Sequence, residues 1–206
     1  MIMLGLMKKE IFMMKNSMVT AGIVMLILTI AMISSENAEI GILSGYIVAF
    51  TAISPITMIA YDEKNKWDRY SSAMPATKRQ QVLCKYLMVI LSIVILTAIF
   101  IALCAIKGET LIYIKGVIIV PVVMAITISG IELLMAYKFG ANKARFVLIG
   151  IMFLIIFGAR IYGAMDMLSV ITRNPAMFYI GGIIVAFAVY IASFCLSVHF
   201  HSNKDF

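Results

Sequence analysis

The sequence predicts an all-helical membrane protein with six transmembrane helices. Three observations carry that prediction. Mean hydropathy is +1.05 and 63% of the 206 residues are hydrophobic, more apolar surface than a soluble domain of this size can hide from water. The apolar residues fall into six runs, roughly 17–33, 40–60, 82–106, 111–137, 146–157 and 177–198. No run alternates apolar and polar residues with period two, so a β-barrel is not indicated.

Most of the six runs reach the roughly 20 residues that a helix needs to cross the hydrocarbon core. Each must be helical, because lipid offers no partner to a bare backbone. Residues 1–16 precede the first run and space Ile2, Leu6 and Met13 against Lys9 and Glu10 at roughly helical intervals. That pattern suits an amphipathic helix lying in the membrane interface. The basic start resembles a signal peptide, but no A-x-A-like cleavage site follows, and an uncleaved first helix is expected. Pro55 in the second run and Pro121 in the fourth each remove a backbone donor and are kink candidates. Gly41 and Gly45, and Gly182 and Ala186, are small residues four apart that favour close helix packing within the bundle. The fifth run is short. Gly158–Ala159–Arg160 interrupts it, so that it either continues past Arg160 or stops early, and residues 159–175 read as an extracellular re-entrant or surface-lying segment.

Charge sets the orientation. Thirteen of the seventeen basic residues lie in 1–16, 61–85, 138–145 and at Lys204, and four (Lys107, Lys115, Arg160, Arg173) lie in the alternate loops. This bias places both termini and residues 61–81 in the cytoplasm of a cell whose plasma membrane the chain crosses. The net charge of +7 is thus a topology signal, and with no basic stripe interleaved with aromatics a nucleic-acid partner is not expected. Cys84, Cys104 and Cys195 stand singly, which argues against a disulfide framework or a zinc site. Glu132 is the one carboxylate well inside a run, about 7–8 Å from its cytoplasmic end at 1.5 Å per residue. An ionisable group at that depth is a functional candidate; the structural alternative is that it hydrogen-bonds a neighbouring helix or reaches the headgroups.

Catalytic chemistry is not legible. The chain has no G-x-x-x-x-G-K-[ST], no H-E-x-x-H and no G-x-S-x-G, and Leu43-Ser44-Gly45-Tyr46 only superficially resembles an ATP-cassette signature. His199 and His201 are expected in a solvated tail. No enzyme activity, no metal and no cofactor are assigned to this chain.

The informative segment is the 21-residue polar interval 61–81, YDEKNKWDRYSSAMPATKRQQ, between the second and third runs. Read as one helix, Glu63, Trp67 and Tyr70 share a face, with acidic residues at the start where the helix dipole favours them. Ser71, Ser72 and Pro75 end that helix, and Thr77 is placed to cap the next. A short helix with an exposed aromatic, held between two spans, suits the transmission of force from a soluble partner.

The run D-E-K-x-K-W-D-x-Y-x-x-x-x-P-x-x-x-x-x-x-V-L-x-K-Y-L, Asp62 to Leu87, resembles the bacterial ABC-2-type permeases of about 200 residues. Among these the chain is similar to membrane subunits of exporters for phenol-soluble modulins and other antimicrobial or amphipathic peptides. The resemblance implies a half-transporter: two permease subunits, as a homodimer or with a paralogue, and two separate ABC ATPase subunits that bind the ATP and Mg. It also implies that Asp62, Glu63, Lys66, Trp67, Asp68, Arg69 and Tyr70 lie on or beside a coupling helix that enters a groove on the ATPase. Residues 1–16 would be the connecting helix. The rival expectations are a substrate-binding membrane subunit of a vitamin importer, and a membrane sensor or assembly protein.

Overall fold

The computed structural model describes residues 2–34, 41–72, 76–106, 111–161 and 175–202. Among these, the secondary structure is entirely helical. Seven helices follow in order: α1 Ile2–Ser34, α2 Gly41–Lys64, α3 Trp67–Ser72, α4 Lys78–Ile106, α5 Leu111–Phe139, α6 Ala141–Ile161 and α7 Pro175–Ser202. Four are long and apolar enough to cross a membrane, within α2, α4, α5 and α7, and the bent α1 gives a fifth if its halves form one span. Length and apolar character therefore support four to five crossings among the described residues, against six expected. α6 covers the short run 146–157 and continues through Arg160 to Ile161. The expected extracellular segment 159–175 lies mostly outside the described residues.

α5 is the hub, packing against α2, α4, α6 and α7, while α1 lies outside against α2 and α4. The buried residues of α1 recur at Leu6, Glu10, Met14, Ala21 and Met25, one stripe facing its neighbours. The amphipathic helix expected over 1–16 does not end before the first apolar run. α1 continues through it, with a 43° bend between Met3–Lys15 and Val19–Leu28. At 33 residues α1 is about 50 Å long, well beyond the roughly 30 Å hydrocarbon core.

Pro55 lies inside α2 and Pro121 inside α5, as expected. Pro55 cannot donate to the carbonyl of Thr51, and Ser54 Oγ donates to that carbonyl instead at 3.2 Å. A neighbouring hydroxyl thus repairs the gap the proline opens. Gly182 and Ala186 pack within the bundle: a Cβ on Gly182 would stand 3.6 Å from Val123, and Ala186 is buried. Gly45 has no such neighbour, since nothing lies within 4 Å of a Cβ there.

Hydroxyls stitch three spans together at Gly130. A Cβ there would stand 3.1 Å from the Tyr190 ring, so glycine lets α7 approach. Ser193 Oγ donates to the Gly130 carbonyl, and Tyr190 donates to the Tyr86 carbonyl at 2.8 Å. The Tyr86 hydroxyl lies 2.7 Å from Ser193 Oγ and 2.8 Å from Ser197 Oγ. Ser193 has already given its proton to Gly130, so Tyr86 donates to Ser193 and accepts from Ser197.

Candidate functional site

The polar interval sits where the lysine-rich ends of the helices meet. α2 ends at Lys64, with Asn65 N–H bonded to the Tyr61 carbonyl and Lys66 N–H to the Glu63 carbonyl. Lys66 has φ 52°, a left-handed conformation usually given to glycine or asparagine at a helix end. That residue redirects the chain into α3. The single helix expected across residues 61–70 is therefore two, and Glu63 and Trp67 stand on different helices. Beyond α3, Thr77 opens α4 as expected. Gln80 N–H donates to Thr77 Oγ1 at 3.3 Å, and Thr77 N–H donates to Gln80 Oε1 at 3.1 Å, a reciprocal cap.

Beneath α3 lies a closed ring of four buried or nearly buried charges from three helices. Lys9 pairs with Glu10 Oε1 at 3.1 Å and with Asp62 Oδ1 at 2.5 Å. Lys85 pairs with the same Glu10 oxygen at 3.3 Å and with Asp62 Oδ2. Two cations alternate with two anions, so the ring carries no net charge. That balance is what makes its burial tolerable, because an isolated charge there would cost far more than its pairings return. The Lys9 ammonium also lies 4.2 Å from the centre of the Trp67 ring. A cavity of about 20 Å³, room for a single water, is bordered by Glu10, Asp62, Trp67, Gln81, Lys85 and His201. α3 therefore rests, through one indole, on a junction of α1, α2 and α4.

The expected coupling residues divide by environment. Asp62 is 5% exposed and belongs to the ring. Glu63 turns to α6, where Oε1 accepts from the Ala141 N–H at 3.0 Å and caps that helix. Its partner position is a one-residue connection: Gly140, with φ 88°, closes α5 through the Ala136 carbonyl and opens α6 through Ala144. Lys66 is exposed at the turn, Trp67 is half-buried, and Tyr70 is 65% exposed. Asp68 and Arg69 lie within α3, and their side chains are outside the described residues.

His201 overturns the expectation of a solvated tail. α7 carries both histidines, and His201 is buried, 3.3 Å from Gln81 Oε1 and edge-on to Tyr137. Lys78 donates to the Ser202 carbonyl at 3.1 Å, so the end of α7 is fixed to the start of α4. Glu132 is wholly buried in α5, and among the described residues neither carboxylate oxygen has a hydrogen-bond partner. The hydrogen bond to a neighbouring helix, one of the expected structural alternatives, is thus not formed among them. Among the described residues no group of three or more His, Cys, Asp or Glu could hold a metal ion. Cys84 and Cys104 are buried and Cys195 is exposed, all as free thiols.

Lys9, Glu10, Lys85 and His201 were not legible as site residues. Lys85 carried the one usable signal, a cation four residues into a run that is otherwise apolar. It reads equally as a topology charge until Asp62 is seen beside it.

The described residues form a helical bundle joined to a short exposed helix through a buried charge ring. The family model for ABC-2 family transporter proteins matches residues 5–201, nearly the whole chain. The chain belongs to the ABC-2 transporter family. No curated protein and no solved structure matches it. ABC-2 permeases are multi-pass membrane subunits, generally not catalytic themselves, and typically work with an ABC ATPase.

Proposed function

We propose that this ABC-2 protein is the transmembrane permease subunit of a bacterial ABC exporter. Two copies, or one copy and a paralogue, join two ATPase subunits in the plasma membrane, and the substrates are amphipathic peptides or other hydrophobic molecules. Both termini and residues 61–81 face the cytoplasm, and six helices span the bilayer. ATP and Mg bind to the partner ATPase.

One observation carries this reading: α3 presents Tyr70 outward while Trp67 reaches inward to Lys9 of the charge ring. A push on α3 would be delivered to α1, α2 and α4 together, as rigid-body coupling requires. The 17 methionines, whose side chains are adaptable, agree with greasy, variable substrates. Co-purification with the ABC ATPase, followed by peptide-stimulated ATP hydrolysis in proteoliposomes, tests the proposal. Trp67→Ala and Asp68→Lys should lower transport and stimulation with membrane insertion intact. Unchanged transport in both variants sinks the coupling role.

A further inference from the structure

The small cavity beneath α3 is where six of the seven described helices meet. α1, α2, α3, α4, α5 and α7 all contribute to its wall, and α6 does not. One polar atom at this wall is not accounted for by the charge ring. Glu10 is 4% exposed, and both lysine ammonium groups reach its Oε1, at 3.1 and 3.3 Å. Its Oε2 is buried and, among the described residues, has no hydrogen-bond partner. The two oxygens of Asp62, by contrast, are matched to one lysine each. A buried carboxylate oxygen without a donor is costly, because the unfolded chain offers it water.

Size and charge decide what supplies the donor. A volume of about 20 Å³ exceeds the roughly 10–15 Å³ that a water needs and is far below the roughly 300 Å³ of a small-molecule pocket. The ring already balances two cations with two anions, so a metal ion or an ammonium group would add an unmatched buried charge. A water adds none. A buried water also needs more than one polar partner. Gln81 and His201, paired at 3.3 Å, border the same cavity and supply it. We infer that the cavity beneath α3 is a binding site for one water molecule, which donates to Glu10 Oε2 and ties the charge ring to the Gln81–His201 pair. Trp67 forms part of the wall, so α3 closes over this water, and the end of α7 is joined to the ring through it.

Hydroxyl-radical labelling by an X-ray pulse, read by mass spectrometry on the full-length chain in detergent, tests this. A bound water generates radicals at the side chains beside it, however deeply they are buried. Cys84 and Tyr137 border the cavity, whereas Cys104 and Tyr190 are similarly buried and do not. Cys84 and Tyr137 should be labelled severalfold faster than their counterparts. After transfer into heavy-oxygen water they should take up the heavy label slowly, and Trp67→Ala should speed that uptake. Cys84→Val places an added methyl group against the water and should lower labelling of Tyr137 to the level of Tyr190. Equal labelling of the bordering and non-bordering side chains in the unaltered protein overturns the site, even if both variants misfold. Loss of the extra labelling when sodium or potassium replaces choline in the buffer also overturns it, by assigning the cavity to a cation.

Discussion

The Lys9 ammonium lies over the Trp67 ring, 4.2 Å from its centre, and joins the first helix of the chain to the short helix of the polar interval. The same ammonium is held by Glu10 and Asp62, so the indole rests on a group that cannot move without moving the ring. Lys9→Gln keeps a polar side chain but removes the cation. Loss of the contact with the indole should cost about 0.5–2 kcal/mol of the α1–α3 association, on top of leaving the ring one cation short. Hydrogen exchange should show α3 opening more often than α5.

The Lys85–Asp62 pair predicts a non-additive result. Lys85→Met leaves both carboxylates of the ring short of a cation, and Asp62→Leu leaves both lysines short of an anion. Each single change should destabilise the protein by about 3–5 kcal/mol, and the double variant should recover much of that loss. Denaturant unfolding in mixed micelles, run as a double-mutant cycle, checks it.

Two left-handed residues predict opposite signs. Gly140→Ala forces a Cβ into positive φ, 3.1 Å from Glu63 Oε1, and should destabilise the α5–α6 connection by about 1–2 kcal/mol. Lys66→Gly relieves the same strain at the α2–α3 turn. Glycine's extra freedom in the unfolded chain offsets part of the gain, leaving a net rise of up to about 1 kcal/mol. Thermal unfolding of the two variants side by side is the measurement.

Glu132 predicts stability without its carboxylate. Neither oxygen has a partner among the described residues, so Glu132→Met strands no donor there and removes a buried polar group. The melting temperature should stay level or rise, whereas Glu132→Lys should lower insertion or stability by several kcal/mol. A clear drop for Glu132→Met would mean the carboxyl group is used in the folded state.

The helices were legible because their signal is local. Runs of apolar residues have one solution in lipid: the observed α4, α5 and α7 enclose the runs that predicted them, and α2 covers its run from Gly41 on. Thr77 was legible for the same reason, since its cap partner Gln80 is three residues away. The polar interval was legible as a unit but not as a shape. Its helix breaks at Lys66, in a left-handed conformation that sequence preference gives to glycine or asparagine. His201 was misread because its nearness to the chain end suggested solvent, while Gln81 and Tyr137 enclose it.

The sequence by itself determined a helical membrane protein with a charged interval between its second and third apolar runs, because hydropathy and charge act residue by residue. Only the tertiary structure decided that Lys9, Glu10, Asp62 and Lys85 form one neutral ring, with Trp67 against it. Lys9 and Asp62 are 53 positions apart, and Glu10 and Lys85 are 75. No local preference brings them together. Packing of α1 against α2 and α4 does, and the cost of burying a lone charge then fixes which partner each must find.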